Sequence, residues 1–277
     1  MDAVIVTLGS QRYEVQRAWP GTPHDFTAIC DVTVMADGRV VAMRRRAPQL
    51  IVLAPSGELL DQWTVPGLVC PHYLNPGPGG GLLIADFDGH QIIALDKHGE
   101  LRWTLGNPRE PHWMAPFNHP TSASMDGAGR LYATDGYGNS CLHIFDAQRT
   151  LVRTVGTQGP GPGQFTTPHA VIVLRDGRLL VADRENYRLQ FFDAEGRVLG
   201  EIGDVYKPMA LAELPDATIL VTDQTPRLSR FAPDGRLLGR CRTLSTVAHG
   251  MAAGADGTIY LAEMTPDMLT RLVSLPA

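Results

Sequence analysis

Three histidines, His72, His169 and His249, each stand fourteen residues before an acidic residue: Asp86, Asp183 and Glu263. Three imidazole nitrogens with a fourth position left open form the coordination set of a catalytic zinc, and the same donors also suit iron(II) or cobalt(II). The same register brings in further groups. Arg184 follows Asp183, Arg45 follows Arg44 at the corresponding point, and Tyr137 lies two residues past Asp135. A guanidinium offers paired planar donors to a carboxylate, a geometry that lysine does not match. A phenol drawn down from its ordinary pKa near 10 by a cation and a guanidinium can serve as a general base. The plainer alternatives are that Arg184 pairs with Asp183 or Glu185 and that Tyr137 fills a turn. Their shared level with the histidines favours chemistry.

The elements that must position these residues are read from an internal repeat. PHAVIVLRDGRLLVADRENYRLQFFDAEGRVLGEIG, residues 168–203, predicts four short strands, Val171–Leu174, Arg178–Ala182, Arg188–Phe192 and Val198–Ile202. Asp176-Gly177 and Glu195-Gly196 are the tight turns, where glycine supplies a positive φ. The pattern recurs six times at about 46 residues, the period of four-stranded propeller blades. Aligned on Arg44, Asp86, Asp135, Asp183, Asp223 and Glu263, the units place Cys30, His72, Thr121, His169, Met209 and His249 at the start of the innermost strands. Histidine thus occupies alternate blades, about 120° apart, whose innermost strands line a central channel. The sixth unit ends after its third strand, and residues 3–19 are predicted to supply its missing outer strand and cover that edge. The expectation is all-β: one six-bladed β-propeller domain spanning 1–277.

Composition narrows the partners. The chain has 277 residues, a net charge of −5 and one compact basic cluster, Arg44 to Arg46. That argues against nucleic acid and anionic membrane, both of which require clustered cations. No apolar run approaches the roughly 20 residues that span a bilayer, and the first residues lack the basic start of a secretory signal. The four cysteines, Cys30, Cys70, Cys141 and Cys241, form no CxxC pair. A cytoplasmic protein is expected.

TDGYGNS (134–140), GPGPGQFTTPHAV (159–171) and VADREN (181–186) resemble the NHL-repeat lyases of peptide C-terminal amidation, the peptidyl-α-hydroxyglycine α-amidating lyases. The resemblance spans all six blades and is densest over 117–203. It implies a six-bladed zinc propeller with His72, His169 and His249 as ligands, Tyr137 as the catalytic tyrosine, and Arg45 and Arg184 in contact with substrate. It implies a carbinolamide substrate ending in a carboxylate, on a peptide or a small molecule, cleaved at its C–N bond to an amide and glyoxylate. Arg45 is assigned beside Tyr137 and Arg184 to the carboxylate, the two being exchangeable. The chain departs from the family in three places. Gly250 replaces an aspartate that helps hold a structural calcium beside the Leu74 carbonyl, and without its carboxylate such a site binds Ca²⁺ weakly. Val247 replaces a methionine near the substrate, and Gly138 replaces a disulfide cysteine of the secreted animal enzymes.

Three other readings compete. A related metal-dependent lyase or hydratase acting on a small hydroxylated amide or carbonyl compound accommodates Val247 and Gly250. A non-catalytic NHL binding module explains the repeat but not the alternating histidines. A calcium-dependent lactonase wants oxygen ligands where imidazoles stand. His90 follows a turn in blade two and could approach the rim, and His119 stands two residues before Thr121; each is a minor candidate for substrate contact. His24, His98, His112 and His143 read as turn or surface residues. Cys30 reads as a small filler with Asp31 beside it, which could offer a carboxylate to the channel.

Overall fold

The computed structural model describes residues 3–21, 24–47, 49–243 and 247–276. Strand succeeds short strand because apolar runs of four to six residues are cut by turns that only a positive φ closes, as at Gly177 (φ +86°) and Gly196 (φ +81°). The result is all-β, six antiparallel sheets of the six-bladed β-propeller class, one sheet to each repeat. No helix among the described residues is long and apolar enough to cross a membrane.

The chain forms two compact units, Val65–Pro208 and a second made of Met1–Thr64 with Met209–Ala277. The first holds blade two (Pro71–Pro76, Leu82–Asp86, Gln91–Leu95, Leu101–Gly106), blade three (Ser122–Met125, Leu131–Asp135, Cys141–Phe145, Leu151–Val155) and blade four (Pro168–Val173, Leu179–Asp183, Arg188–Phe192, Val198–Ile202). In every blade of this unit the second and third strands are buried along their whole length, and the outermost strand is largely exposed. Leu83, Ala85, Phe117, Ala133 and Phe145 pack blade two on blade three. Tyr132, Phe165, Val171, Val181 and Phe192 pack blade three on blade four. Full burial of each large apolar side chain contributes about 1.5–3 kcal/mol, so it is face-to-face packing between sheets that holds the unit together.

The second unit holds blade one (Ile29–Val34, Val40–Arg44, Leu50–Leu53, Leu59–Trp63) and blade five (Pro208–Glu213, Ile219–Asp223, Arg227–Phe231, Leu237–Arg242). Blade six combines Ala248–Ala253, Ile259–Met264 and Asp267–Ser274 with two N-terminal strands, Gln11–Gln16 and Val4–Leu8. Gln11–Gln16 is the expected fourth strand, with Tyr13 opposite Ser274 and Val15 opposite Leu272. The expectation of a single closing strand is corrected by the hairpin: Gly9, at φ +68°, turns Val4–Leu8 back as a fifth. Trp19, Ile29, Val32, Ile51, Ala252 and Tyr260 form the core between blades six and one.

The expected surface position of His143 is also corrected. It lies in the third strand of blade three with no exposed surface, its Nε2 3.2 Å from Asp135 Oδ2 and its Nδ1 2.9 Å from Thr154 Oγ1.

Candidate metal and proton-transfer site

The acidic residue that marks the repeat has a mechanical task. Asp86 accepts the backbone N–H of Cys70 at 2.8 Å and of Val69 at 3.1 Å; Asp135 accepts that of Asn118 at 2.8 Å, and Asp183 that of Thr166 at 2.8 Å. Each carboxylate therefore clamps the loop just ahead of the innermost strand. Burial pushes the Asp183 carboxyl above its ordinary range, against the hydrogen bonds it accepts from Asn186, Thr166 and Arg188. In blade one the charge is reversed, and buried Arg44 donates to the Asp25 carbonyl at 2.8 Å and pairs with its carboxylate.

In blades one, two, four and six the residue fourteen positions earlier is a β-bulge. The ladder slips between Pro71 and Tyr73, between Pro168 and Ala170, between Ala248 and Gly250, and between Ile29 and Asp31. His72, His169, His249 and Cys30 are the extra residues, and a bulge re-aims its side chain out of the pleat. All three histidines are buried. Nδ1 of His72 bonds the carbonyl of Thr121 at 2.8 Å, and in the other unit Nδ1 of His249 bonds the carbonyl of Cys30 at 2.8 Å. A carbonyl only accepts, so both imidazoles carry their proton on Nδ1 and keep a lone pair on Nε2.

The loop after the second strand is equally regular. Backbone N–H groups of Arg45, Phe87, Tyr137 and Arg184 donate to the carbonyls of Ala28, Cys70, His119 and Thr167 at 2.8, 2.9, 3.4 and 3.2 Å. These four residues are structural equivalents, although Tyr137 sits one residue further along its repeat. Gly136 absorbs the extra residue: a Cβ there would lie 2.1 Å from the Pro168 carbonyl oxygen and 2.9 Å from Thr121 Cγ2.

Within Val65–Pro208 these devices bring four predicted residues together. The Tyr137 hydroxyl lies 3.1 Å from Nε2 of His72 and 3.1 Å from Nε2 of His169, and Nη1 of Arg184 donates to it at 3.2 Å. The His72 and His169 rings meet edge to face, 4.8 Å between centroids. Arg184 is held from behind, its Nε 3.5 Å from Glu185, which also pairs with Lys207 at 2.9 Å. The guanidinium on the phenol is that of Arg184, one of the two arginines that the sequence left exchangeable. Phe87, which sequence reasoning left without a role, packs 5.0 Å from the Tyr137 ring and 6.1 Å from His72. Its place in the register, one step past Asp86, was the available signal.

In the other unit Arg45 is exposed, Val247 is half-buried and His249 is buried. Cys30 donates its thiol to the Met43 carbonyl at 3.5 Å, which suits a filler. Asp31 is buried, and its Oδ1 lies 2.1 Å from where a Cβ at Gly250 would stand, so its carboxylate occupies the space a side chain at 250 would need.

The donor set fits a zinc-type cation. The Nε2 atoms of His72 and His169 converge on a single phenol, and His72 and His249 carry their proton on Nδ1 and keep the Nε2 lone pair that a metal takes.

A family model described as the NHL repeat matches residues 165–192. The chain is 27% identical to human NHL repeat-containing protein 3 over 295 residues, covering 95% of this chain and 84% of that protein. It is 25% identical to the probable peptidyl-alpha-hydroxyglycine alpha-amidating lyase pgal-1 of Caenorhabditis elegans, over 80% of this chain and 69% of that one. A solved streptogramin B lyase shares the fold, with a TM-score of 0.69 at 14% identity, 98% of this chain and 100% of that one being covered.

Proposed function

We propose that this NHL-repeat chain, related at moderate identity to proteins named amidating lyases, cleaves the C–N bond of an α-hydroxyglycine-type carbinolamide to an amide and glyoxylate. The observation that carries the reading is the convergence of His72 Nε2, His169 Nε2 and Arg184 Nη1 on the Tyr137 hydroxyl, each within 3.2 Å. His72, His169 and His249 would hold zinc, or iron(II) or cobalt(II), which when bound supplies the Lewis acidity that loosens the substrate's hydroxyl proton. Tyr137 takes that proton. Arg184 stabilises the phenolate form that Tyr137 must hold before it takes the proton. The carbon–oxygen bond becomes a carbonyl, the C–N bond breaks, and the proton returns to the departing amide nitrogen, so no water is consumed. Arg45 is left for the substrate carboxylate, with Val247 beside the substrate.

Metal-loaded protein incubated with α-hydroxyhippurate tests the reading, with glyoxylate as the readout. Stoichiometric glyoxylate and benzamide are expected. No glyoxylate from protein carrying one zinc per chain would overturn it, and turnover confined to small non-peptide analogues would move the substrate class to a small hydroxylated amide.

A further inference from the structure

His90 and His119 lie outside the proton-transfer set yet touch it through the backbone. His90 closes the turn Phe87–His90 after the second strand of blade two, its N–H donating to the Phe87 carbonyl at 3.4 Å. Its side chain is 6% exposed, and its ring meets that of His119 edge to face, 4.4 Å between centroids. Nδ1 of His90 accepts the backbone N–H of His119 at 3.1 Å. The His119 carbonyl in turn accepts the backbone N–H of Tyr137 at 3.4 Å. Phe87 fills the space between, 5.0 Å from both the His119 and the Tyr137 rings. Both histidines hold left-handed backbone, φ +51° at His90 and +62° at His119. Non-glycine residues adopt that region uncommonly, histidine more readily than most.

From this chain of bonds we infer that His90 is a positioning residue: its neutral imidazole latches the His119 backbone and, through the His119 carbonyl, sets where the Tyr137 phenol sits. The inference rests on the proposed role of Tyr137 for its catalytic consequence, but the latch itself does not. It requires Nδ1 of His90 to be unprotonated, because a backbone N–H needs an acceptor. Burial, followed by the neighbouring His119, keeps the His90 pKa below the ordinary histidine value, against the opposing pull of Asp88, Asp135 and Asp86. His119 itself is steadied by Asn118 Oδ1 at 2.8 Å and faces Asp88 at 3.8 Å.

The test uses three substitutions in the metal-loaded protein. In His90→Asn the amide oxygen stands where Nδ1 stood, and asparagine tolerates left-handed backbone. In His90→Gln the oxygen reaches the Nε2 position instead, and His90→Ala has no acceptor. Two readouts are taken: kcat and KM across pH, and the ¹⁹F signal of 3-fluorotyrosine placed at 137. His90→Asn should keep the native ¹⁹F shift and a kcat within about twofold. The glutamine and alanine variants should displace the signal and lose kcat on the order of tenfold, because small misplacements of a reacting group are costly. Part of the native acid limb of the pH profile should vanish in His90→Asn. Gln and Ala variants that match the native protein in both readouts, or an Asn variant that falls with them, would overturn the latch. A ¹⁹F displacement in the Gln and Ala variants, with no variant and no native protein cleaving substrate, would instead retire the lyase reading and leave the latch standing.

Discussion

Nδ1 of His72 is bonded to the carbonyl of Thr121 at 2.8 Å, one blade further on. The bond is made to backbone, so it fixes the tautomer of the histidine without depending on the neighbour's side chain, and His249 repeats it on Cys30. Two outcomes follow for metal content. His72→Ala, His169→Ala and His249→Ala should each lower zinc occupancy well below one per chain, with an affinity loss exceeding the roughly 10–100-fold expected for an outer-shell partner. Cys30→Ala should leave occupancy unchanged, because the carbonyl remains. Plasma emission spectrometry on dialysed protein reads both.

Tyr137→Phe removes one hydroxyl from a residue that is 41% exposed and packs no core, so the fold should persist. Turnover should fall by about 10²–10⁴-fold, the span of general acid–base catalysis, while zinc occupancy and melting temperature hold. Retained activity would take Tyr137 out of the mechanism.

Gly136→Ala tests whether the close approach matters. Its Cβ would meet the Pro168 carbonyl oxygen at 2.1 Å, and backbone cannot give way as a flexible side chain does. A loss of about 1–3 kcal/mol in urea unfolding is expected, the range for overpacking, with activity lost beyond what stability explains. An alanine variant as active and as stable as the native chain would show that the loop can shift.

Gly250→Asp should be poorly tolerated. The new Cβ would stand 2.1 Å from Asp31 Oδ1 and 2.5 Å from its Cα, and a second carboxylate would enter a buried space. Paired with Asp31→Gly the clash with the carboxylate and the paired charge should go while that with the Cα stays, so the rescue should be partial, a coupling that a double-mutant cycle measures.

Acid should unfold the protein through its turns. The Asp176 carboxyl is held below its usual range by hydrogen bonds from Arg178, and that of Asp96 by the N–H of His98; at Asp126 partial burial raises the pKa but the bonds from Arg130 outweigh it. Asp37, Asp193 and Asp216 are depressed in the same way. A carboxyl whose folded pKa lies below its unfolded one adds stability above the unfolded value, and that stability goes as pH falls through the folded one. Stability should therefore drop steeply below about pH 4, after a shallower decline below about pH 6.5 where the unfolded chain takes up the proton that buried His90 resists. Denaturant titrations at stepped pH would show both breaks, and His90→Asn should remove the upper one.

The repeat period and the fourteen-residue spacing were legible because both are properties of one strand pair copied six times. The bulge at the histidines was not: residues such as Pro71, His72 and Tyr73 alternate no differently from an unbulged strand, and only the slipped ladder shows it. Tyr137 looked one step out of register until its N–H was found on the His119 carbonyl, the counterpart of Arg184 on Thr167. His143 was misread because a polar residue in a strand gives no sign that a buried Asp135 awaits it. Which of the two exchangeable arginines reaches the Tyr137 phenol was not legible, since the reach of Arg184 depends on Glu185 and Lys207 behind it.

The sheet of blade six joins Gln11–Gln16 to Asp267–Ser274. During synthesis the first of these strands must wait through about 250 residues for its partner, a long-range pairing of the kind that slows folding. Until the last strand is released, the early hairpin offers a bare rim to any passing chain. Crowded or truncated translation products should thus clump where the finished protein does not, and keeping that hairpin unengaged falls to whatever binds nascent chains first.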